Sequence, residues 1–232
     1  FDVEQNLNSK FSINYGLRYS MFYRLGNQEM NIYSNNQAVT YNSEMNIYEK
    51  ATPIGTKNYS KNETIASFNN LEPRIAMSFS IDEFQSIKAS YNRMSQYLHL
   101  ISNTQSPTPL DVWAPSDDFL KPQLLDQYAF GYFKNIKDGK YTFEIETFYK
   151  DIKNRLDYID GADLIGNKAI EQVVLAGKAR AYGLEILAKK NTAKVKNTFF
   201  IGYSFLYPNI IFFTVYLNIY VFAMKRAILG FS

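Results

Sequence analysis

Residues 10–25, KFSINYGLRYSMFYRL, alternate with a strict two-residue period as far as Met21. Phe11, Ile13, Tyr15, Leu17, Tyr19, Met21 and Tyr23 fall on one side, and Ser12, Asn14, Gly16, Arg18 and Ser20 on the other. Only an extended strand sends successive side chains to opposite faces, so this period predicts a β-strand. Its apolar face is bulky and aromatic, and its second face carries an arginine. Such a strand separates two unlike environments.

The same pattern recurs along the chain. LEPRIAMSFSID sets Leu71, Pro73, Ile75, Met77, Phe79 and Ile81 against Glu72, Arg74, Ala76, Ser78 and Ser80. Pro73 marks the strand's entry, since proline donates nothing to a ladder. SIKASYNRM opposes Ile87, Ala89 and Tyr91 to Lys88, Ser90 and Asn92, and LDQYAFGYF opposes Tyr128, Phe130 and Tyr132 to Gln127, Ala129 and Gly131. The next strand, from Tyr141, follows a hairpin signal at Asp138-Gly139, a pair that accepts positive φ. KARAYGLEILAKK and VKNTFFIGYSF complete the set. The reading is all-β: an antiparallel up-and-down meander of about seven strands, most of at least about nine residues. The connections run long, short, long, short, long, short. The long ones cover about residues 26–67, 95–123 and 160–177, and the third carries a short helix signal in GNKAIEQVVLAG. A meander therefore collects every long loop at one end.

Either a protein core or lipid can receive the aromatic face. A soluble barrel turns its apolar face inward; a membrane barrel turns it outward. Strand length favours lipid, because a tilted membrane strand needs ~9–11 residues and soluble strands cluster near ~5–6. The one-sided long loops point the same way. So do the tyrosines: Tyr15, Tyr19 and Tyr23 share a row, and Tyr141 and Tyr149 bracket Phe143 and Ile145, as a headgroup-level girdle requires. A soluble β-barrel or sandwich binding module stays open as the alternative, and would show smaller inward residues alternating in size.

Composition narrows the function classes. The 232 residues carry a net charge of +3 with both signs interspersed, which argues against a nucleic-acid surface. There is no cysteine, so disulfides and thiolate metal sites are excluded. No basic-then-apolar leader precedes the first strand, and the chain reads as a mature product or a fragment. The single histidine, His99, has no partners at metal-ligand spacing and reads as structural. Asp111, Asp117 and Asp118 near Trp113 are carboxylates of the kind that hold a hard cation, but loop solvation is the simpler reading. Glu144 and Glu146 share one strand face without a nucleophile or histidine partner, and read as charges facing a lumen. No catalytic site, metal site or cofactor is expected. The loop aromatics Tyr97 and Trp113 are the candidate ligand-binding residues, because exposed rings suit sugars and flat chelates.

YGLRYS, LEPRIAMSFSI followed by IKASYNRMSQYLHLISN, KPQLLDQYAFGYFKN and KARAYGLEILAKK together resemble the barrel of TonB-dependent outer-membrane receptors of Gram-negative bacteria. The resemblance implies a partial transmembrane β-barrel from the C-terminal half of such a receptor, at residues 1–205. It also implies uptake of a scarce nutrient (siderophore, cofactor or oligosaccharide) driven by the TonB complex through an N-terminal plug that this chain is not expected to contain. The implied partners are outer-membrane lipid, the ligand and the TonB complex; no nucleic acid is expected. A passive porin-like barrel is a further alternative. After residue 205 alternation is lost in LYPNIIFFTVYLNIYVFAMKRAILGFS. This atypical hydrophobic tail, residues 206–232, has three readings: a frame-shifted or truncated ending, an irregular last strand on the barrel edge, or a membrane helix.

Overall fold

The computed structural model describes residues 1–102, 112–164, 166–190, 199–206 and 210–217, with backbone alone at 112, 199–206 and 210–217. Strand β1 (Asp2–Asn6) turns back into β2 (Phe11–Leu25). The first long connection folds into two ribbons, β3 (Gln28–Ile32) with β6 (Gly55–Tyr59) and β4 (Val39–Asn42) with β5 (Ile47–Lys50). Then come β7 (Thr64–Asp82) and β8 (Gln85–Gln96), joined by a tight turn. The second long connection pairs β9 (Leu98–Ile101) with β10 (Val112–Pro115). Strands β11 (Gln123–Ile136) and β12 (Tyr141–Tyr158) form a hairpin whose turn residues Lys137, Asp138 and Gly139 all adopt positive φ, as the Asp-Gly pair predicts. A 3₁₀ turn at Ile170–Gln172 stands where a short helix was expected, ahead of β13 (Val174–Lys190). Finally β14 (Phe199–Leu206) and β15 (Ile210–Leu217) close the described chain.

One antiparallel sheet takes nine strands in the order β1-β2-β7-β8-β11-β12-β13-β14-β15. Sequential neighbours pair throughout, so the meander is confirmed, and β1 and β15 are the two outermost strands among the described residues. The expected count of about seven was low by these two edge strands. β1 reads DVEQN, too short and polar to show a period, and β15 reads IIFFTVYL, apolar at both parities. Residues 210–217 of the hydrophobic tail thus run as a strand along β14; the rest of residues 218–232 lie outside the described residues. Strand β7 also begins seven residues before Leu71, because Ser67 and Asn69 are polar on the face where Leu71 begins the apolar run.

The two faces of the sheet differ as the alternation requires. Tyr15, Leu17, Tyr19, Met21, Tyr23, Leu71, Phe79, Tyr128, Phe130, Tyr149, Tyr182 and Leu184 stand exposed on one face. The other face encloses a trough of about 880 Å³, lined among others by Ser12, Asn14, Ser78, Lys88, Gln127, Glu146, Lys150 and Glu185. Glycines keep this face low. A Cβ on Gly16 would stand 2.7 Å from the Phe1 carbonyl oxygen and 2.9 Å from Arg74 Nε, where Arg74 pairs with Asp2. At Gly131 it would strike the Phe133 ring, which lies across the glycine at 2.8 Å.

The apolar band is tilted against the ladder. Register places Tyr15, Ile75, Tyr91, Tyr128, Tyr149 and Tyr182 in one row across six strands. On β2 the outward apolar run spans Phe11 to Tyr23, whereas on β12 it spans Tyr141 to Tyr149. On β13 it spans Tyr182 to Ala188, so from β2 to β13 its midpoint, measured from the shared row, slides about five residues toward the short turns over five strand steps. At ~3.3 Å per residue and ~4.8 Å per strand the slope is roughly 35°, which matches strands tilted in a membrane barrel.

Large buried residues lie elsewhere. Ile101, Ala114, Leu120, Ile159, Leu164, Val173 and Val174 form one cluster at the long-loop end, with Phe119, Tyr158 and Ile170 packed against it. These come from the second and third long connections and the strand ends beside them, so the loops share a conventional core that the wall lacks.

Candidate functional site: the inner face and the loop cap

The cap is tied to the inner face of the wall by two polar anchors. In the first, Arg18 Nε donates to Glu72 Oε2 at 2.7 Å, and Ser20 Oγ donates to Glu72 Oε1 at 2.6 Å. Register sets Arg18 opposite Glu72, so alternation alone brings these charges together. The chain of contacts continues into the second long loop, where the Tyr97 hydroxyl meets Ser20 Oγ at 2.6 Å and accepts from Asn70 Nδ2 at 2.9 Å. The Tyr97 ring stacks on Phe22 with centroids 5.1 Å apart and planes within 5°. Tyr97 is thus not a free loop ring; it pins the loop to the wall.

The second anchor joins Arg24, at the top of β2, to Asp117. Both side chains are largely shielded. Asp117 Oδ1 also accepts the backbone N–H groups of Phe119 and Leu120 at 2.8 and 2.7 Å, shaping the turn that inserts Leu120 into the cluster. Asp117 is therefore neither solvated nor available to a cation. Asp118 is exposed, and Asp111 lies outside the described residues. Among the described residues no three His, Cys, Asp or Glu side chains converge as a metal site would need.

Neighbouring contacts complete the cap. His99 is 3% exposed, and its Nε2 lies 2.9 Å from Ser116 Oγ. Burial pushes its pKa below the ordinary value, opposed by the charge of Asp117. The Tyr33 hydroxyl and Asn31 Nδ2 donate to Glu171 Oε1 at 2.8 and 3.0 Å, linking the first long loop to the third. Burial and the Glu171 carboxylate raise the Tyr33 pKa, so the hydroxyl keeps its proton and donates. Gln172 Nε2 donates to the Ala51 carbonyl at 2.7 Å across the same joint. None of these partners was visible in the sequence: the loop-to-loop pairs are separated by more than 120 residues, and His99 and Ser116, although only 17 apart, lie in a connection whose phase no long period sets. Arg18 and Glu72 were visible, because both lie on strands of known phase.

Trp113 sits differently from Tyr97. It is 62% exposed on β10, at the rim of a recess of about 170 Å³ whose walls include Gln28, Glu29, Asn31, Asn167 and Lys168. The two ring candidates are not brought into one site: one is locked in the anchor and the other faces outward. Glu146 lines the trough as expected for an inner-face charge. The His99–Ser116 contact does set a hydroxyl beside an imidazole, but both residues are buried, at 3% and 0% exposure, so the pair reads as part of the cap's packing.

A tilted meander that is apolar outside and polar inside, with long loops gathered over one end, is the wall of a transmembrane β-barrel. The chain belongs to the TonB-dependent receptor-like β-barrel family, whose model matches residues 1–226. Among solved structures it is similar to the FrpB iron transporter of Neisseria meningitidis (F5-1 variant, apoprotein form), at 17% identity and a TM-score of 0.51 over 88% of this chain and 24% of that one. It is also similar to the ferric-catecholate import receptor Fiu of E. coli K12, at 18% identity and a TM-score of 0.50 over 88% of this chain and 26% of that one. At these identities the likeness shows the fold, and the chain spans about a quarter of the length of these receptors. A comparison with curated proteins returns no match.

Proposed function

We propose that this chain is a wall segment and part of the ligand mouth of an outer-membrane, TonB-dependent uptake receptor of a Gram-negative bacterium. Family membership over residues 1–226 carries the reading, and the tilt of the outward apolar band supports it. In this role the strands separate lipid from lumen. The cap formed by the three long loops meets the ligand first: a siderophore, a cofactor or an oligosaccharide. Passage is energised by the TonB complex, and the chain itself performs no covalent chemistry. Trp113, exposed at the polar recess, is the residue proposed to contact ligand. Tyr97 contributes by holding the second loop against Phe22 and Ser20.

Deleting the gene and growing the cells under iron, cofactor or glycan limitation tests the uptake role. A growth defect confined to one limitation supports it and names the ligand class, whereas unaffected growth under all three contradicts it. The membrane assignment has its own check. The full chain should partition into the outer-membrane fraction and require detergent; recovery as a monodisperse monomer without detergent would overturn it.

A further inference from the structure

One row beyond the tyrosines, toward the loops, the outward face turns from apolar to charged. Register sets Arg93, Asp126, Asp151 and Arg180 side by side across β8, β11, β12 and β13. Arg93 binds Asp126 with both Nε and Nη2, at 2.7 and 2.8 Å, and the Tyr91 hydroxyl donates to the same carboxylate at 2.7 Å. Asp126 is saturated by these three donors. Arg180 reaches Asp151 only at 3.5 Å and stays mostly exposed. In the next row Lys153 stands directly opposite Lys178, and both are exposed. Like charges facing each other across strands destabilise a sheet unless an anion lies between them.

We propose that Lys153, Lys178 and Arg180 form a docking surface for the phosphate of an anionic lipid headgroup in the leaflet on the loop side. Depth selects this partner. The cluster begins one alternation, about 6–7 Å, beyond Tyr149 and Tyr182, and tyrosines of a girdle mark the headgroup level. Charge agrees: four cations and two carboxylates face outward here, with one carboxylate already taken by Arg93. All three cations lie on β12 and β13, which pair with each other at this level, whereas β14 pairs with β13 only from Gly183 to Lys190. It rests on the membrane reading above.

The full chain is reconstituted in phosphatidylcholine nanodiscs containing a minority of phosphatidylglycerol, and the lipid kept after detergent exchange is counted by mass spectrometry. Wild type should enrich phosphatidylglycerol, and each of Lys153→Gln, Lys178→Gln and Arg180→Gln should lower the enrichment about fivefold. Lys153→Arg with Lys178→Arg should retain it, and so should the larger charge loss of Lys50→Gln with Lys61→Gln in the first loop. Protease protection of the strands confirms that each variant is inserted. A wild-type chain that inserts without enriching anionic lipid overturns the docking surface and leaves the membrane reading standing. A chain that does not insert overturns both. Release of the lipid by millimolar inorganic phosphate, with no dependence on the acyl anchor, overturns the lipid assignment in favour of a free-phosphate site.

Discussion

Phe130 and Leu120 are both large apolar residues, yet Phe130 is 50% exposed and Leu120 only 1%. The first stands in the middle of the outward band on β11, and the second in the cap between the loops. In water such an exposed band is an aggregation surface; in hydrocarbon it is the lowest-energy arrangement. The cap follows the rule of soluble proteins, with apolar residues inside and each buried charge provided with partners, as Asp117 is. Two solvents are therefore written into one chain. The wall depends on lipid for its stability, and the cap carries its own core, so loops can hold shape over an aqueous opening.

Damage should be distinguished by region. Asp117→Ala leaves Arg24 without its carboxylate in a shielded site, which costs about 3–5 kcal/mol. The loss should fall on the cap: amide exchange should speed up at Phe119 and Leu120 while the exchange of β11 and β12 stays unchanged. Phe130→Arg should cost about 2–4 kcal/mol when unfolding is followed in bilayers. Its neighbour on the inner face, Ala129→Arg, should cost far less, and equal costs at the two positions would break the distinction between faces. The smallest effect is pH. Burial holds the His99 pKa below its ordinary 6.5, so the unfolded cap binds a proton that the folded cap resists. Cap stability should therefore be complete above pH 6.5 and decline as pH falls below it, and His99→Gln should flatten that decline in a protease-sensitivity profile of the loops.

The wall was legible in the sequence because a strand's phase is local. Once Phe11 to Met21 alternate, every side chain on β2 is assigned to a face, and Arg18 meeting Glu72 follows from pairing. Legibility ends where the environment stops changing from one residue to the next. In IIFFTVYL both parities are apolar, so no period marks β15, although its backbone pairs with β14 from Ile210 to Leu217. In the first half of β7 the outward side chains turn polar, because the strand has risen past the apolar band. The cap was least legible. Trp113 and Tyr97 looked the same in sequence, yet Trp113 stands exposed on β10 while Tyr97 stacks on Phe22, 75 residues away. Asp117 looked like a solvated loop acid until the fold brought Arg24 to it. Such contacts are set by how three loops meet, and no local period encodes that.

The claim that the aromatic face meets lipid is open to one direct measurement. The chain has no cysteine, so single cysteines at residues 127 to 132 of β11 can each carry a nitroxide label without background. In reconstituted bilayers, relaxation by oxygen, which concentrates in lipid, and by a water-soluble nickel chelate is read position by position. Labels at Tyr128, Phe130 and Tyr132 should respond to oxygen, and those at Gln127, Ala129 and Gly131 to nickel, with a period of two. The opposite phase, or uniform access to nickel along the strand, would contradict the account.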